Sequence, residues 1–187
     1  RLNAAKLTGD KTQMALFSFS PTTGKIDAYI GGKNYEKSQY DRILNAVRPP
    51  GSSFKPFVYA TALQQGVKVN DIVNDAPVSF GRWAPRNYGG KYRGRMPVWQ
   101  ALAVSSNVVA VKMIEKVGVP NVIATAREMG ITTPLQSDMT IALGSNGVKL
   151  YDMVIAYGAF ANGGFRVRPY AVERVENSRG VVVYENP

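Results

Sequence analysis

Cysteine and histidine are both absent from the 187 residues. Without cysteine there are no disulfides, no thiol nucleophile and no thiolate-bound metal in this chain, although that absence does not fix the compartment. Without histidine the Ser-His-Asp and Cys-His arrangements, imidazole-bound zinc and an imidazole general base are excluded as well. Nucleophilic chemistry in this chain therefore falls to Ser, Thr or Lys, with Lys, Asp, Glu or Tyr moving the proton. No apolar run approaches the roughly 20 residues that span a bilayer, and the N-terminus has no signal-peptide pattern. No carboxylate pair or metal-ligand cluster has persuasive spacing, and no internal repeat is visible.

What is present fits one globular domain with a real core: 45% of residues are hydrophobic and 19% charged. The balance of 23 Lys and Arg against 13 Asp and Glu gives a net charge of +10, which suits a polyanion, an anionic surface or a carboxylate-bearing substrate. The basic residues are scattered. Their richest stretch, Lys91 to Arg95 with Arg82 and Arg86 nearby, sits among Gly, Tyr and Trp and reads most simply as a solvated loop face.

Met14 to Ser20 and Lys25 to Gly31 read as a β-hairpin across Pro21-Thr22-Thr23-Gly24. After a polar stretch ending in Arg48-Pro49-Pro50-Gly51, a mostly buried helix is expected from Ser53 to about Gln65, with Pro56 in its first turn and Gly66 as its stop. Asp71 to Pro97 reads as a long irregular excursion with a short strand at Val78 to Gly81. Helices follow at Val98 to Val104, after Ser105-Ser106-Asn107 with Gly118 as its stop, and from Pro120 to Gly130. The most hydrophobic one covers Val148 to Ala161, where Tyr157 and Phe160 are expected in the core. Two strands, Arg166 to Glu176 and Val181 to Glu185, flank a Ser178-Arg179-Gly180 turn. Helices clustered between hairpins make an α+β domain with an antiparallel sheet the natural architecture.

Two short motifs could carry chemistry. In Pro50-Gly51-Ser52-Ser53-Phe54-Lys55, a serine and a lysine three apart on a first helical turn project from one side, so Lys55 can reach the Ser52 hydroxyl. A lysine deprotonates a serine only if burial and positive surroundings depress its pKa, and a helix N-terminus supplies such a field. The same terminus aims N–H groups at a developing oxyanion. The ordinary alternative is an N-cap serine followed by a solvent-facing lysine. In Ser105-Ser106-Asn107, between two helices, the ordinary reading is again a cap. The chemical one makes Ser105 a proton relay and gives Asn107 the task of holding Lys55 and a substrate carbonyl. Ser137-Asp138-Met139 is a decoy, since its third position offers no amide. Gly144-Ser145-Asn146-Gly147 reads as a structural turn, and Asn87, Tyr88 and Tyr92 could edge the cleft.

The blocks PTTGKIDAYIGG, GGKNYEKSQYDRILNAVRPPGSSFKPFVYATAL, WAPRNYGGKYRGRMPVWQALAVSSN, IALGSNGV and YDMVIAYGAFANGG resemble, in order and spacing, the signatures of the transpeptidase domain of class A penicillin-binding proteins, across about residues 13 to 170. The resemblance implies a penicillin-binding protein and serine β-lactamase-like fold. It implies a D,D-transpeptidase that joins peptidoglycan stem peptides: Ser52 attacks a stem ending in D-Ala-D-Ala, D-Ala leaves, and an amine of a neighbouring stem takes the acyl group. β-Lactams are expected to acylate the same serine. Ser52, Lys55, Ser105 and Asn107 are the implied catalytic residues, with Ser52, Asn107 and Tyr88 toward substrate. No cofactor, metal or nucleic-acid partner is implied. An upstream glycosyltransferase domain and a membrane anchor are, placing the domain on the outer face of the bacterial cytoplasmic membrane.

The family's third motif, Lys-Thr-Gly, occurs nowhere in these residues; Thr23-Gly24-Lys25 is a hairpin turn in another order. The expectation is therefore an incomplete domain, with residues 1–187 as its N-terminal portion and the third motif beyond residue 187 or on another chain. Such a piece alone should be inactive or poorly folded. Two other functions compete. A serine β-lactamase or β-lactam sensor would use the same nucleophile, but no motif offers a carboxylate to activate the deacylating water. A basic non-catalytic module would bind anionic wall polymer or membrane.

Overall fold

A computed structural model describes residues 12–186; the ends of the 1–187 domain span, residues 1–11 and Pro187, lie outside the described residues. In chain order the elements are β1 (Leu16–Phe19), β2 (Ile26–Ile30), β3 (Val47–Arg48), α1 (Lys55–Gln64), β4 (Ile72–Asp75), β5 (Gly94–Pro97), α2 (Val98–Ala103), α3 (Asn107–Val117), α4 (Val119–Met129), β6 (Val148–Lys149), α5 (Leu150–Ala161), β7 (Arg174–Glu176) and β8 (Val182–Glu185). Short 3-10 turns lie at Gly51–Phe54, Tyr88–Gly90 and Met139–Leu143. Three pairs of strands, β1 with β2, β4 with β5 and β7 with β8, are antiparallel, so the antiparallel character expected from the hairpins is present as short ladders.

The chain divides into two compact units, one built from the segments before Val47 and after Lys149, the other from Arg48–Val148. In the first, the β1–β2 ladder turns through Gly24, whose φ of +85° suits a residue without Cβ. Phe17 and Phe19 on β1 form a core with Ile43 and with Ile155 on α5. Gly158 lets α5 approach β1, because a Cβ there would lie 2.6 Å from the Phe19 ring. Tyr157 and Phe160 are not in that core: they are 38% and 45% exposed and pack on each other edge to face, with ring centroids 5.7 Å apart. Helix α5 is apolar on most sides, so its period could not single out the face it buries, which is that of Ile155, Ala156 and Ala159.

The second unit holds both motifs. Helix α1 is the buried one: Phe54, Phe57, Val58 and Ala62 have essentially no exposure, and Phe54 and Phe57 pack ring against ring. Val108 to Val111, Met113 and Ile114 are buried, so α3 is covered around most of its circumference. The Thr61 hydroxyl bonds the Thr125 hydroxyl at 2.9 Å, tying α1 to α4 through a satisfied polar pair. The excursion from Asp71 to Pro97 is less irregular than its composition suggests. Its two ends pair as β4 and β5, with Ile72 opposite Pro97 and Asp75 opposite Gly94. The strand expected at Val78 to Gly81 does not form; Phe80 instead closes a tight turn against Trp83, with backbone bonds in both directions.

Candidate active site

Ser52 sits in the 3-10 turn Gly51–Phe54 that leads into α1, just after Gly51, whose φ is +58°. Pro50 has no N–H to offer, and Pro56 lies in the first turn of α1 where its missing N–H is harmless, so the helix begins where the prolines allow. The turn is held from outside by Gly144, whose carbonyl accepts the Gly51 N–H at 3.2 Å. Gly144 has φ +67°, and a Cβ there would fall 2.1 Å from the Gly51 carbonyl oxygen, so the backbones touch. Asn146 accepts the Gln136 N–H at 2.9 Å, which gives the Gly144–Gly147 turn the structural role expected of it.

The capping alternative for Ser52 fails on both counts. The Ser52 side chain makes no capping bond; its hydroxyl is exposed and hydrogen-bonds to none of the described residues. Lys55 does not face solvent. It is 1% exposed, and its amine donates to three oxygens: Ser105 O at 2.6 Å, Ser105 Oγ at 2.8 Å and Asn107 Oδ1 at 2.7 Å. Burial pushes the Lys55 amine down from the ordinary lysine value to about 8. An ammonium has three N–H donors, and all three are used here, so the amine is turned to the second motif and makes no hydrogen bond with Ser52.

The second motif divides its labour. Ser106, the middle residue, is the cap of α3: its Oγ accepts the Val109 N–H at 3.1 Å. That leaves Ser105 and Asn107 to converge on Lys55. Ser105 has φ +54°, the single non-glycine residue with positive φ among the described residues, a conformation that costs about 1–2 kcal/mol. Asn107 Nδ2 donates one N–H to Arg86 O at 2.9 Å, and its other N–H can meet a carbonyl.

Two residues that the motifs do not contain stand behind them. Asn87 is buried, and its Oδ1 accepts the N–H groups of Asn107 at 2.9 Å and Val108 at 3.2 Å, while its Nδ2 donates to Asp75 Oδ1 at 2.6 Å and Lys91 O at 2.9 Å. Asp75 has 0% exposure and also accepts the Ser106 hydroxyl at 2.8 Å and the Arg93 N–H at 3.0 Å. Burial pushes this carboxyl up, but the bonds from Asn87, Ser106 and the Arg93 backbone outweigh it and hold the group below the ordinary carboxylate range. Asn87, expected at the edge of the cleft, is instead buried behind the second motif, where the α3 N–H groups, Asp75 and the Lys91 carbonyl use its whole amide; Asp75 carries no sequence signal beyond being an acid near a strand end. Tyr88, by contrast, is 100% exposed and stands outside this cluster. Ser137-Asp138-Met139 is a cap, with Asp138 accepting the Thr140 N–H at 2.7 Å. Among the described residues no group of acidic side chains is placed to hold a metal ion, and no helix is long and apolar enough to cross a membrane.

An exposed serine and a buried lysine thus stand at one helix entrance, with the lysine joined to a Ser-x-Asn turn fifty residues on. The family described as "Penicillin binding protein transpeptidase domain" matches residues 14–187, and the chain belongs to it. It is 37% identical to penicillin-binding protein 1A of Pseudomonas aeruginosa over 183 residues, which cover 94% of this chain and 22% of that protein. It is also 37% identical to penicillin-binding protein 2D of Bacillus subtilis over 186 residues, covering 96% of this chain and 27% of the relative. The chain thus spans about a quarter of the length of these relatives. The crystal structure of penicillin-binding protein 1A from Haemophilus influenzae superposes with a TM-score of 0.88 at 30% identity, over 93% of this chain and 27% of that one. PonA1 of Mycobacterium tuberculosis in complex with penicillin V gives 0.86 at 26% identity, over 98% of this chain and 53% of its own.

Proposed function

We propose that this chain is the Ser52-bearing part of a D,D-transpeptidase that cross-links peptidoglycan stem peptides and that β-lactams acylate at the same serine. The observation that carries this reading is the Lys55 amine, buried and clasped by Ser105 and Asn107 beside an exposed serine hydroxyl. Family membership and the likeness to a penicillin V complex of PonA1 support it.

In this reading the neutral Lys55 amine releases one of its three oxygens and takes the Ser52 proton as Ser52 Oγ attacks the carbonyl of the penultimate D-Ala. The C–N bond to the terminal D-Ala breaks, and the departing amine leaves protonated, its proton coming from Lys55 through the Ser105 hydroxyl. The second N–H of Asn107 holds the acyl carbonyl or the neighbouring peptide. An amine of another stem then attacks the Ser52 ester, and the same relay returns the proton to Ser52. The Lys-Thr-Gly element, absent from these residues, is supplied from outside them and completes the carboxylate side of the cleft. The parent protein carries a glycosyltransferase domain and a membrane anchor and works on the extracytoplasmic face.

The test uses the full-length gene product with a fluorescent penicillin. Stoichiometric label that is released slowly, and that Ser52→Ala abolishes, is expected. Rapid turnover of the penicillin would convert the assignment to a β-lactamase, and no label on the folded protein would reduce it to a binding module.

A further inference from the structure

We infer that Asp75 and Asn87 are positioning residues for acyl transfer, holding the Ser105–Asn107 turn so that its three oxygens converge on the Lys55 amine. The inference rests on the acyl-transfer reading of Ser52 and goes beyond it, since neither residue touches Ser52, Lys55 or a substrate.

The first four N–H groups of a helix have no partner within it. At α3 all four, counted from the cap, are assigned: Ser106 to Ala101 O, Asn107 and Val108 to Asn87 Oδ1, and Val109 to Ser106 Oγ. One external amide oxygen thus fixes the backbone of Asn107, whose own side chain ends on Lys55. That amide can face only one way. Its Nδ2 meets two acceptors, Asp75 Oδ1 and Lys91 O, so the flipped amide would set oxygen against oxygen twice. Asp75 also takes the hydroxyl proton of Ser106, which leaves the Ser106 lone pairs to the Val109 N–H. A fully buried carboxylate, held by three neutral donors and favoured by the Arg93 charge, is still an expensive group to keep, and a cap alone would not need it. Its location explains it: Asp75 and Asn87 between them hold the cap residue Ser106 and the two residues after it, Asn107 and Val108, directly beyond Ser105. Ser105, the residue before it, is the one in the unfavourable positive-φ conformation, and it presents both its carbonyl and its hydroxyl to Lys55.

The experiment follows acylation of the full-length protein by a fluorescent penicillin at varied concentration, separating the dissociation constant of the initial complex from the acylation rate constant. Asn87→Ala and Asp75→Asn are each expected to lower the rate constant by about 30-fold while leaving the dissociation constant within about threefold. Asp75→Asn changes no volume, so it carries the test if Asn87→Ala does not fold. Wild-type rates in folded variants, a loss confined to the dissociation constant, or unfolding of every variant would overturn the inference. Wild-type protein that takes no label would defeat the acyl-transfer reading itself, whereas normal wild-type labelling with unimpaired variants defeats this inference alone.

Discussion

The pH dependence of acylation tests the Lys55 assignment most directly. Burial brings the amine to about 8 from the ordinary lysine value of 10.5. With that value about one amine in eleven is neutral at pH 7 and about ten in eleven at pH 9, so a reaction needing the neutral amine speeds up about tenfold across that interval and then levels off. An exposed lysine at the ordinary value would give about a hundredfold rise over the same interval with no plateau. The second-order rate constant for acylation by a fluorescent penicillin, measured from pH 6 to 10 on the full-length protein, separates these cases. A midpoint near 8 is expected. A profile that is flat, or one still climbing at pH 10, would refute the role of Lys55 as base.

The same shift has a sign in stability. Below about 8 Lys55 is protonated in both folded and unfolded chains, so the whole penalty of burying its charge is present. Between about 8 and 10.5 the unfolded chain holds more protons than the folded one, so stability rises with pH, by about 3 kcal/mol if nothing else titrates. Above pH 10 the buried Tyr59 hydroxyl opposes this. Burial and then the Asp75 charge raise its pKa well beyond the ordinary value, so stability is lost there as unfolded tyrosine ionises.

Other outcomes follow from single contacts. Ser105→Gly relieves the positive φ and should hold or raise stability by about 1 kcal/mol in thermal melts, yet slow acylation by about tenfold because the Oγ on Lys55 is gone. Gly144→Ala forces a Cβ against the Gly51 backbone at a positive φ and should cost about 3 kcal/mol, with acylation falling because the turn displaced is the one before Ser52. A melting temperature within the error of wild type would show that the two turns are not in contact. Tyr59→Phe removes a buried hydroxyl that has no hydrogen-bond partner among the described residues, and should leave stability within about 1 kcal/mol of wild type or raise it, by denaturant titration.

Helix boundaries were legible because prolines and glycines mark them by mechanism: Pro56 in the first turn of α1, Gly66 after it, and Gly118 and Gly130 closing α3 and α4. Ser52, Lys55, Ser105 and Asn107 were legible as two motifs, and so was the hold of Asn107 on Lys55; that the Lys55 amine spends its other two donors on the Ser105 carbonyl and hydroxyl was not, since fifty residues separate them and no period links them. The β4–β5 ladder escaped because its strands are polar or end in Gly and Pro and are joined by a long loop instead of a tight turn. Val78 to Phe80 has better strand composition than either, and it is spent on a turn. Asp75 could not be found for a simpler reason. Charged residues are nearly always outside, and only the hydrogen bonds that three neighbours bring to one point make its burial tolerable.

That last point bears on why the site needs so much of its surroundings. A lysine kept out of water and a serine at φ +54° are each unfavourable by themselves. The bonds between them offset part of the cost of burying the charged amine, but that is the form the proposed chemistry must leave. What holds both in place is the apolar interior of α1 and α3, which are anchored by Phe57 and Val58 on one side and Val108 and Val111 on the other, together with the Asp75–Asn87 pair that sets the first turn of α3. The reactive geometry is thus stored as packing and hydrogen bonds outside the motifs, and substitutions there should change the acylation rate more than they change what the cleft can bind.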